Sequence, residues 1–206
     1  KYKYFQLNKL DNKEPNQDSV NKIINLIEST IPNVDRVMIQ DCRHGLLTNE
    51  IIKKTKETCK KHNKFLIVNS QASSSKANHQ LYKGVDLICM NKKEAIDIHP
   101  DFDPNNQDKI IELSNILDSG VCITLGENGS IMYLNNTHHT QPGIKVKELD
   151  SCGAGDSFHA CLTLADPKTN PNEALKLANI WAALSVKEIG TTVPNKEEFI
   201  KYVNEL

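Results

Sequence analysis

Before a hairpin-like segment in its second half, the chain alternates four times between short apolar runs and segments of helical periodicity, and this alternation constrains its fold most. RVMIQD (Arg36 to Asp41), FLIVN (Phe65 to Asn69), DLICM (Asp86 to Met90) and VCITLG (Val121 to Gly126) read as buried strands. Val20, Ile23, Ile24 and Ile27 recur at helical spacing between Asn16 and Thr30, behind the capping pair Asp18-Ser19. Thr48 to His62 carries Ile51, Ile52 and Thr55 on one face and lysines on a solvated one. Asn91 to Ile98 is a short helix, and a Pro- and Asn-rich break at Pro100 to Asn106 leads to another helix through Leu117. Strands with helical crossovers between them predict a doubly wound α/β sheet, largely parallel, with ligands at the carboxyl ends of its strands.

ENGSIMYLNNTHHTQP then places an Asn-Gly and an Asn-Asn pair between short apolar runs, which predicts antiparallel hairpin strands at one edge of the sheet. From Gly153 the pattern is helical in three segments, SFHACLTLA, EALKLANIWAALSVKEIG and NKEEFIKYVNEL, separated by Pro167 and Pro194. The polar stretch SQASSSKANH, Ser70 to His79, falls where a ligand loop beyond a strand end belongs. The chain does not begin with Met and opens on an alternating YKYFQL suited to a strand, so a fragment of a longer protein is expected.

A chain of 206 residues, 38% of them hydrophobic, supports one α/β domain over its whole length. Its 25 basic and 26 acidic residues give a net charge of -1 and argue against nucleic acid or an anionic membrane as partner. The six cysteines contain no C-x-x-C pair and read as free thiols of a reducing cytosol, and the His138-His139 doublet has no partner at zinc-ligand spacing. Without a signal-like N-terminus or an apolar run of ~20 residues, a cytoplasmic location is expected.

Chemistry concentrates in VKELDSCGAGDSFHACLTLA. A short β-like run ends at Asp150, the small residues Gly153, Ala154 and Gly155 follow, and an apolar helix begins. Glycines let a ligand approach the backbone, and the free N–H groups and dipole of a helix's first turn favour an anion there. Asp156 in that turn could take a proton from a hydroxyl while the amides of Gly153 to Gly155 hold phosphoryl oxygens. The same residues would equally make a tight turn with Asp156 as a helix-capping group, and on their own they leave both readings open.

The whole string resembles the second signature of the ribokinase-like (PfkB) carbohydrate kinases, D-T-x-G-A-G-D-x-F, with Asp150, Gly153, Ala154, Gly155, Asp156 and Phe158 at matching positions. Ser151 replaces the usual threonine, and Cys161 a small residue. NKKE, Asn91 to Glu94, looks like the family's N-x-x-E, which organises magnesium and phosphate; as bare chemistry it is also a capping box. TLGENGS is similar to the T-x-G-x-x-G turn, which places Thr124, Gly126 and Gly129 near nucleotide phosphates. LANIWAALSVKEIGTTVP resembles the helix and loop beside the nucleotide base and, in many members, a monovalent cation such as K+. Asn179, Gly190 and Thr191 are the base-side candidates and Asp150 the cation candidate, although Ala178, Trp181, Ala182, Ala183 and Val186 also suit core packing.

QDCRHGLLT and VNSQASS look like the sugar-facing strand ends of members that act on phosphorylated sugars, including the heptose-phosphate kinase branch. Asp41, Arg43, His44, Asn69 and Gln71 are therefore the substrate-binding candidates, while Asp41 as a cap of a βα turn and Arg43 as a solvated side chain remain the alternative. The resemblance implies an ATP-dependent kinase with Mg2+ that phosphorylates a hydroxyl of a sugar or sugar phosphate, with a homodimer among its partner states. It also implies that the family's first strands and lid are missing from this chain. A binding module that has lost the reaction, and the kinase domain of a bifunctional enzyme, are the competing readings. A dehydrogenase would carry its glycines after the first strand of a βαβ unit, whereas here they come late and helices follow.

Overall fold

The computed structural model describes residue 7, residues 12–71 and residues 76–205. All of YKYFQL but Leu7, expected as a strand, and the middle of the serine loop lie outside the described residues.

Six strands follow one another across one sheet: β1 (Arg36–Asp41), β2 (Phe65–Ser70), β3 (Leu87–Asn91), β4 (Gly120–Thr124), β5 (Ser130–Leu134) and β6 (Thr137–Gln141). The first four pair in parallel, while β5 and β6 run antiparallel, as the hairpin signals predict. The helices are α1 (Gln17–Thr30), α2 (Asn49–Lys61), α3 (Lys92–Ile98), α4 (Gln107–Leu117), α5 (Ala154–Leu164), α6 (Pro171–Ser185) and α7 (Lys196–Glu205).

Successive side chains of a strand point to opposite faces, and here both faces are apolar. Leu66, Val68, Ile88, Met90, Val121 and Ile123 join Ile52 and Cys59 of α2 and Ile110, Leu113 and Leu117 of α4 in one core. Their neighbours Phe65, Ile67, Leu87, Cys89 and Cys122 face the other way and pack on Phe158 and Leu162 of α5 and Ala174, Leu175 and Ala178 of α6. The result is three layers with α5 and α6 packed on one face, the doubly wound α/β architecture expected.

Local chemistry fixes the turns. Asn135 and Asn136 both take left-handed backbone, φ 52° and 59°, which is what a two-residue hairpin turn of matching twist demands between β5 and β6. Between β4 and β5, Gly129 has φ +92°, and a Cβ there would lie 2.1 Å from the Gln141 carbonyl oxygen. We predict that Gly129→Ala costs about 3 kcal/mol in chemical denaturation, whereas Gly126→Ala, strained in φ but opening onto free space, costs about 1 kcal/mol. Equal losses would mean that the β4–β5 turn is not seated against residues 141–143.

One expectation fails. The β-like run leading to Asp150 is not a strand, and residues 142–150 are irregular. A strand needs a neighbour for its amides, and those of Leu149 and Asp150 instead reach the Val186 carbonyl at the end of α6, 2.8 and 3.3 Å away. This anchors the segment beneath the α6 terminus rather than in the sheet.

Candidate active site

The parallel strands all end on one side, and α5 begins there. Asn69, Asn91 and Thr124, at the carboxyl ends of β2, β3 and β4, line a pocket of about 150 Å³ together with Gln71, Glu94 and, from the turn into α5, Gly153, Gly155, Asp156 and Phe158. A larger hollow of about 500 Å³ opens at the opposite ends of β2 and β3 beside Lys60, Lys83 and Asp86, and holds none of the candidate residues.

Gly153 caps α5 with left-handed backbone, φ 86°, and a Cβ there would meet the Thr191 methyl at 2.6 Å. The Ala154 amide is spent on the Ser151 carbonyl (3.2 Å), and the first bond of the helix proper runs from the Ser157 amide to the Gly153 carbonyl (2.9 Å). The amides of Gly155 and Asp156 between them are the orphan donors that every helix start leaves. At Gly155 a Cβ would meet nothing within 4 Å, so the space beside those amides is open.

Asp156 stands at the third position of the helix, exposed, with its Oδ1 accepting hydrogen bonds from Gln40 Nε2 (2.7 Å) and Gln71 Nε2 (3.3 Å). Gln40 is held in turn by His159, whose Nδ1 lies 2.8 Å from its Oε1. Neither Gln40 nor His159 is among the candidates drawn from sequence. The signal was present, since Gln40 alternates with Ile39 and Asp41 and so points to the α5 face of β1, while His159 sits three residues after Asp156 on one side of α5.

Asp150, the cation candidate, uses its carboxylate to join two loops: Oδ1 accepts from the Cys152 amide (3.0 Å) and Oδ2 from the Gly190 amide (2.9 Å). With Thr191 against Gly153, this brings Gly190 and Thr191 onto the glycine turn. Asn179 lies elsewhere, buried between α6 and β5, with Nδ2 donating to Ser130 Oγ (2.6 Å) and the Leu175 carbonyl (2.8 Å). Trp181 packs edge-on against Phe199 at 4.9 Å and belongs to the contact with α7. Gly126 and Gly129 shape the turn that follows Thr124.

Asn91 and Glu94 form a complete capping box, Asn91 Oδ1 accepting from the Glu94 amide (2.9 Å) and Glu94 Oε2 from the Asn91 amide (2.8 Å). Glu94 Oε2 is also 4.0 Å from His79 Nε2. Burial pushes His79 down to about 4, so its ring is neutral near pH 7 and the pair is no salt bridge. Among the described residues no three His, Cys, Asp or Glu side chains gather as metal ligands. The capping box takes the single side-chain oxygen of Asn91 and Oε2 of Glu94, so a Mg2+ at this pair would be held through its waters rather than by direct ligation.

Of the substrate candidates, Asn69 and Gln71 line the pocket, whereas Asp41, Arg43 and His44 do not. Asp41 is 7% exposed and turned inward: Oδ2 accepts from Tyr82 Oη (2.7 Å), Ser70 Oγ (3.1 Å) and Asn78 Nδ2 (3.3 Å), and Oδ1 from the Arg43 amide (2.7 Å). It ties the end of β1 to the loop after β2. Arg43, itself at φ 60°, donates Nη1 to the Lys76 carbonyl (2.9 Å), and His44 Nδ1 lies 3.0 Å from Asn12 Oδ1.

Burial pushes the Asp41 carboxyl up, but the Tyr82 hydroxyl, the Arg43 amide, Asn78 and Ser70 outweigh it and hold the group below its ordinary value. A carboxylate depressed in the folded state contributes stability above its unfolded value, about 3.9, and loses it as pH falls further through the folded value. We predict an acid destabilisation starting below about pH 4 that is flattened in Asp41→Asn, a variant that costs roughly 1–3 kcal/mol at pH 7 because an amide N–H then faces donors. Urea denaturation at several pH values checks both, and an unchanged acid limb would remove Asp41 from that role.

The pattern of the pfkB family of carbohydrate kinases matches residues 8–198. The chain is 28% identical over 192 residues to the bifunctional protein HldE of Bradyrhizobium diazoefficiens, covering 90% of this chain and 38% of that protein. It is also 28% identical over 203 residues to HldE of Sulfurimonas denitrificans, covering 96% and 42%. Among solved structures, ribokinase from Thermotoga maritima superposes with a TM-score of 0.66 at 25% identity, over 86% of this chain and 59% of that one. Arabidopsis thaliana ribokinase complexed with ribose and ATP gives 0.72 at 19%, over 92% and 59%, a likeness of fold. The chain thus spans about two fifths of the curated relatives' length.

Proposed function

This chain belongs to the pfkB family of carbohydrate kinases, and from that premise we propose that it carries the phosphoryl-transfer half of an ATP-dependent kinase acting on a sugar or sugar phosphate. The observation that carries the reading is Asp156 in the first turn of α5, beside two unspent amides and at the strand-end pocket. In this reading a sugar hydroxyl gives its proton to the Asp156 carboxylate as its oxygen attacks the γ-phosphorus, and the bond from phosphorus to the ADP oxygen breaks. The Gly155 and Asp156 amides hold oxygens of the transferring group. Asn91 and Glu94 would hold the waters of a bound Mg2+, which would supply charge neutralisation to the phosphates. Asn69 and Gln71, which line the pocket, meet sugar hydroxyls.

Sugar-dependent ADP release tests the reading, measured across aldoses, ketoses and their monophosphates with the protein made from its complete reading frame. Release above the sugar-free rate is expected with at least one of them. Tight nucleotide or sugar binding without release would favour a binding module that has lost the reaction.

The kinase portion of a larger bifunctional protein is a second reading. Two bifunctional relatives match over nine tenths or more of this chain but only about two fifths of their own length. A second catalytic domain in the parent reading frame would establish it.

A further inference from the structure

His159 and Gln40 form a one-way relay to Asp156. A carboxylate only accepts, so Gln40 must present its Nε2 hydrogens to Asp156 Oδ1, at 2.7 Å. Its Oε1 then faces His159 Nδ1 at 2.8 Å, and because an amide oxygen only accepts, Nδ1 must carry the ring proton. The ring is 0% exposed, and Nε2 is buried with no hydrogen-bond partner among the described residues. Burial pushes the group down to about 4, so near pH 7 it is neutral and has a single proton to place. No other arrangement of the two side chains satisfies both contacts: a flipped Gln40 would set its oxygen against the carboxylate.

Gln71 donates to the same Oδ1 at 3.3 Å. Two amides from the ends of neighbouring parallel strands thus converge on one oxygen, and among the described residues no hydrogen bond reaches Oδ2. We propose that His159 and Gln40 are positioning residues that lock the Asp156 carboxylate by Oδ1, so that Oδ2 is the oxygen offered to the acceptor hydroxyl. This rests on Asp156 being the base of the reaction proposed above. It adds that an apolar-face histidine, itself out of reach of substrate, sets the direction of the lock.

The ring tautomer reads the relay without catalysis. Long-range 1H–15N spectra at pH 7 should show His159 protonated at Nδ1, the reverse of the free side chain's preference. Gln40→Leu removes the acceptor and should bring up the Nε2–H form. Asp156→Ala removes the charge that orients Gln40, and should also bring up that form although the two residues do not touch. A backbone amide spectrum of Gln40→Leu otherwise unchanged from the parent separates loss of the relay from misfolding. An Nε2–H ring in the unaltered protein overturns the proposal, as does a tautomer indifferent to Asp156→Ala.

Kinetics supply the second readout: His159→Phe should lower kcat about tenfold with KM for ATP within about twofold. A fall in stability with kcat unchanged would make His159 structural and sink the proposal. Activity surviving Asp156→Asn would sink the base assignment instead, and the tautomer result would stand apart from it.

Discussion

Gly155→Ala is expected to be more stable than the parent by roughly 0.5–1 kcal/mol and slower in phosphoryl transfer by about a hundredfold. The two effects have opposite signs for one reason. Gly155 is helical, within the first turn of α5, and a Cβ there meets nothing within 4 Å, so alanine gains the ordinary helix propensity without a clash. Gly155 and Asp156 both line the pocket, and in the proposed reading the space at Gly155 is where the phosphoryl group sits. A methyl group in it would displace a phosphoryl group from donors that work only at hydrogen-bond distance. Thermal unfolding and ADP release on the same preparation check both signs. A stabilised variant at full rate would mean that the transferring group sits elsewhere. Gly153→Ala would not discriminate, because left-handed backbone and the Thr191 methyl destabilise it on structural grounds alone.

Asp156→Asn is expected to lower kcat by about 10²–10⁴ with stability near that of the parent. Asparagine keeps the shape, and its Oδ1 can still accept from Gln40 and Gln71. What it loses is a group able to take the proton of the attacking hydroxyl. Because Asp156 is exposed, the substitution leaves no buried partner unsatisfied, and a loss of rate cannot be ascribed to unfolding. KM for ATP should move little, since the substitution keeps the backbone amide of residue 156, the group proposed to meet the phosphate. A variant within threefold of the parental kcat would end the base assignment.

The fold was legible where its causes are local. Short continuous apolar runs, the Asn91 capping box and the Asn135-Asn136 turn each state their geometry within a few residues. VKEL before Asp150 reads as strand by the same local rule and is not one, because strand formation depends on a partner that only the assembled sheet supplies or withholds. The glycine turn and the place of Asp156 in the first turn of α5 were legible because one short string holds both. Gln40 and His159 were not, since the contact joins residues 119 positions apart. Asp41 marks a middle case: the sequence left it open between substrate contact and cap, and burial with four hydrogen bonds settles it into the frame that links β1 to the loop after β2.

Among the described residues no helix is long and apolar enough to cross a membrane. The pocket also sits where the first four strands end in parallel, so strand termini, the start of the loop after β2 and one helix terminus supply its groups. That economy explains why a chain matching about three fifths of its solved structural neighbours still presents the glycine turn, the carboxylate and the strand-end amides together.

The most direct measurement is a crystal structure of the protein from its complete reading frame with an accepting sugar and a non-hydrolysable ATP analogue. One sugar hydroxyl oxygen should lie about 2.6–3.2 Å from Asp156 Oδ2, in line with the γ-phosphorus, and γ-phosphate oxygens should accept from the Gly155 and Asp156 amides. A sugar bound with every hydroxyl beyond reach of Asp156, or a γ-phosphate seated away from the start of α5, would contradict the account.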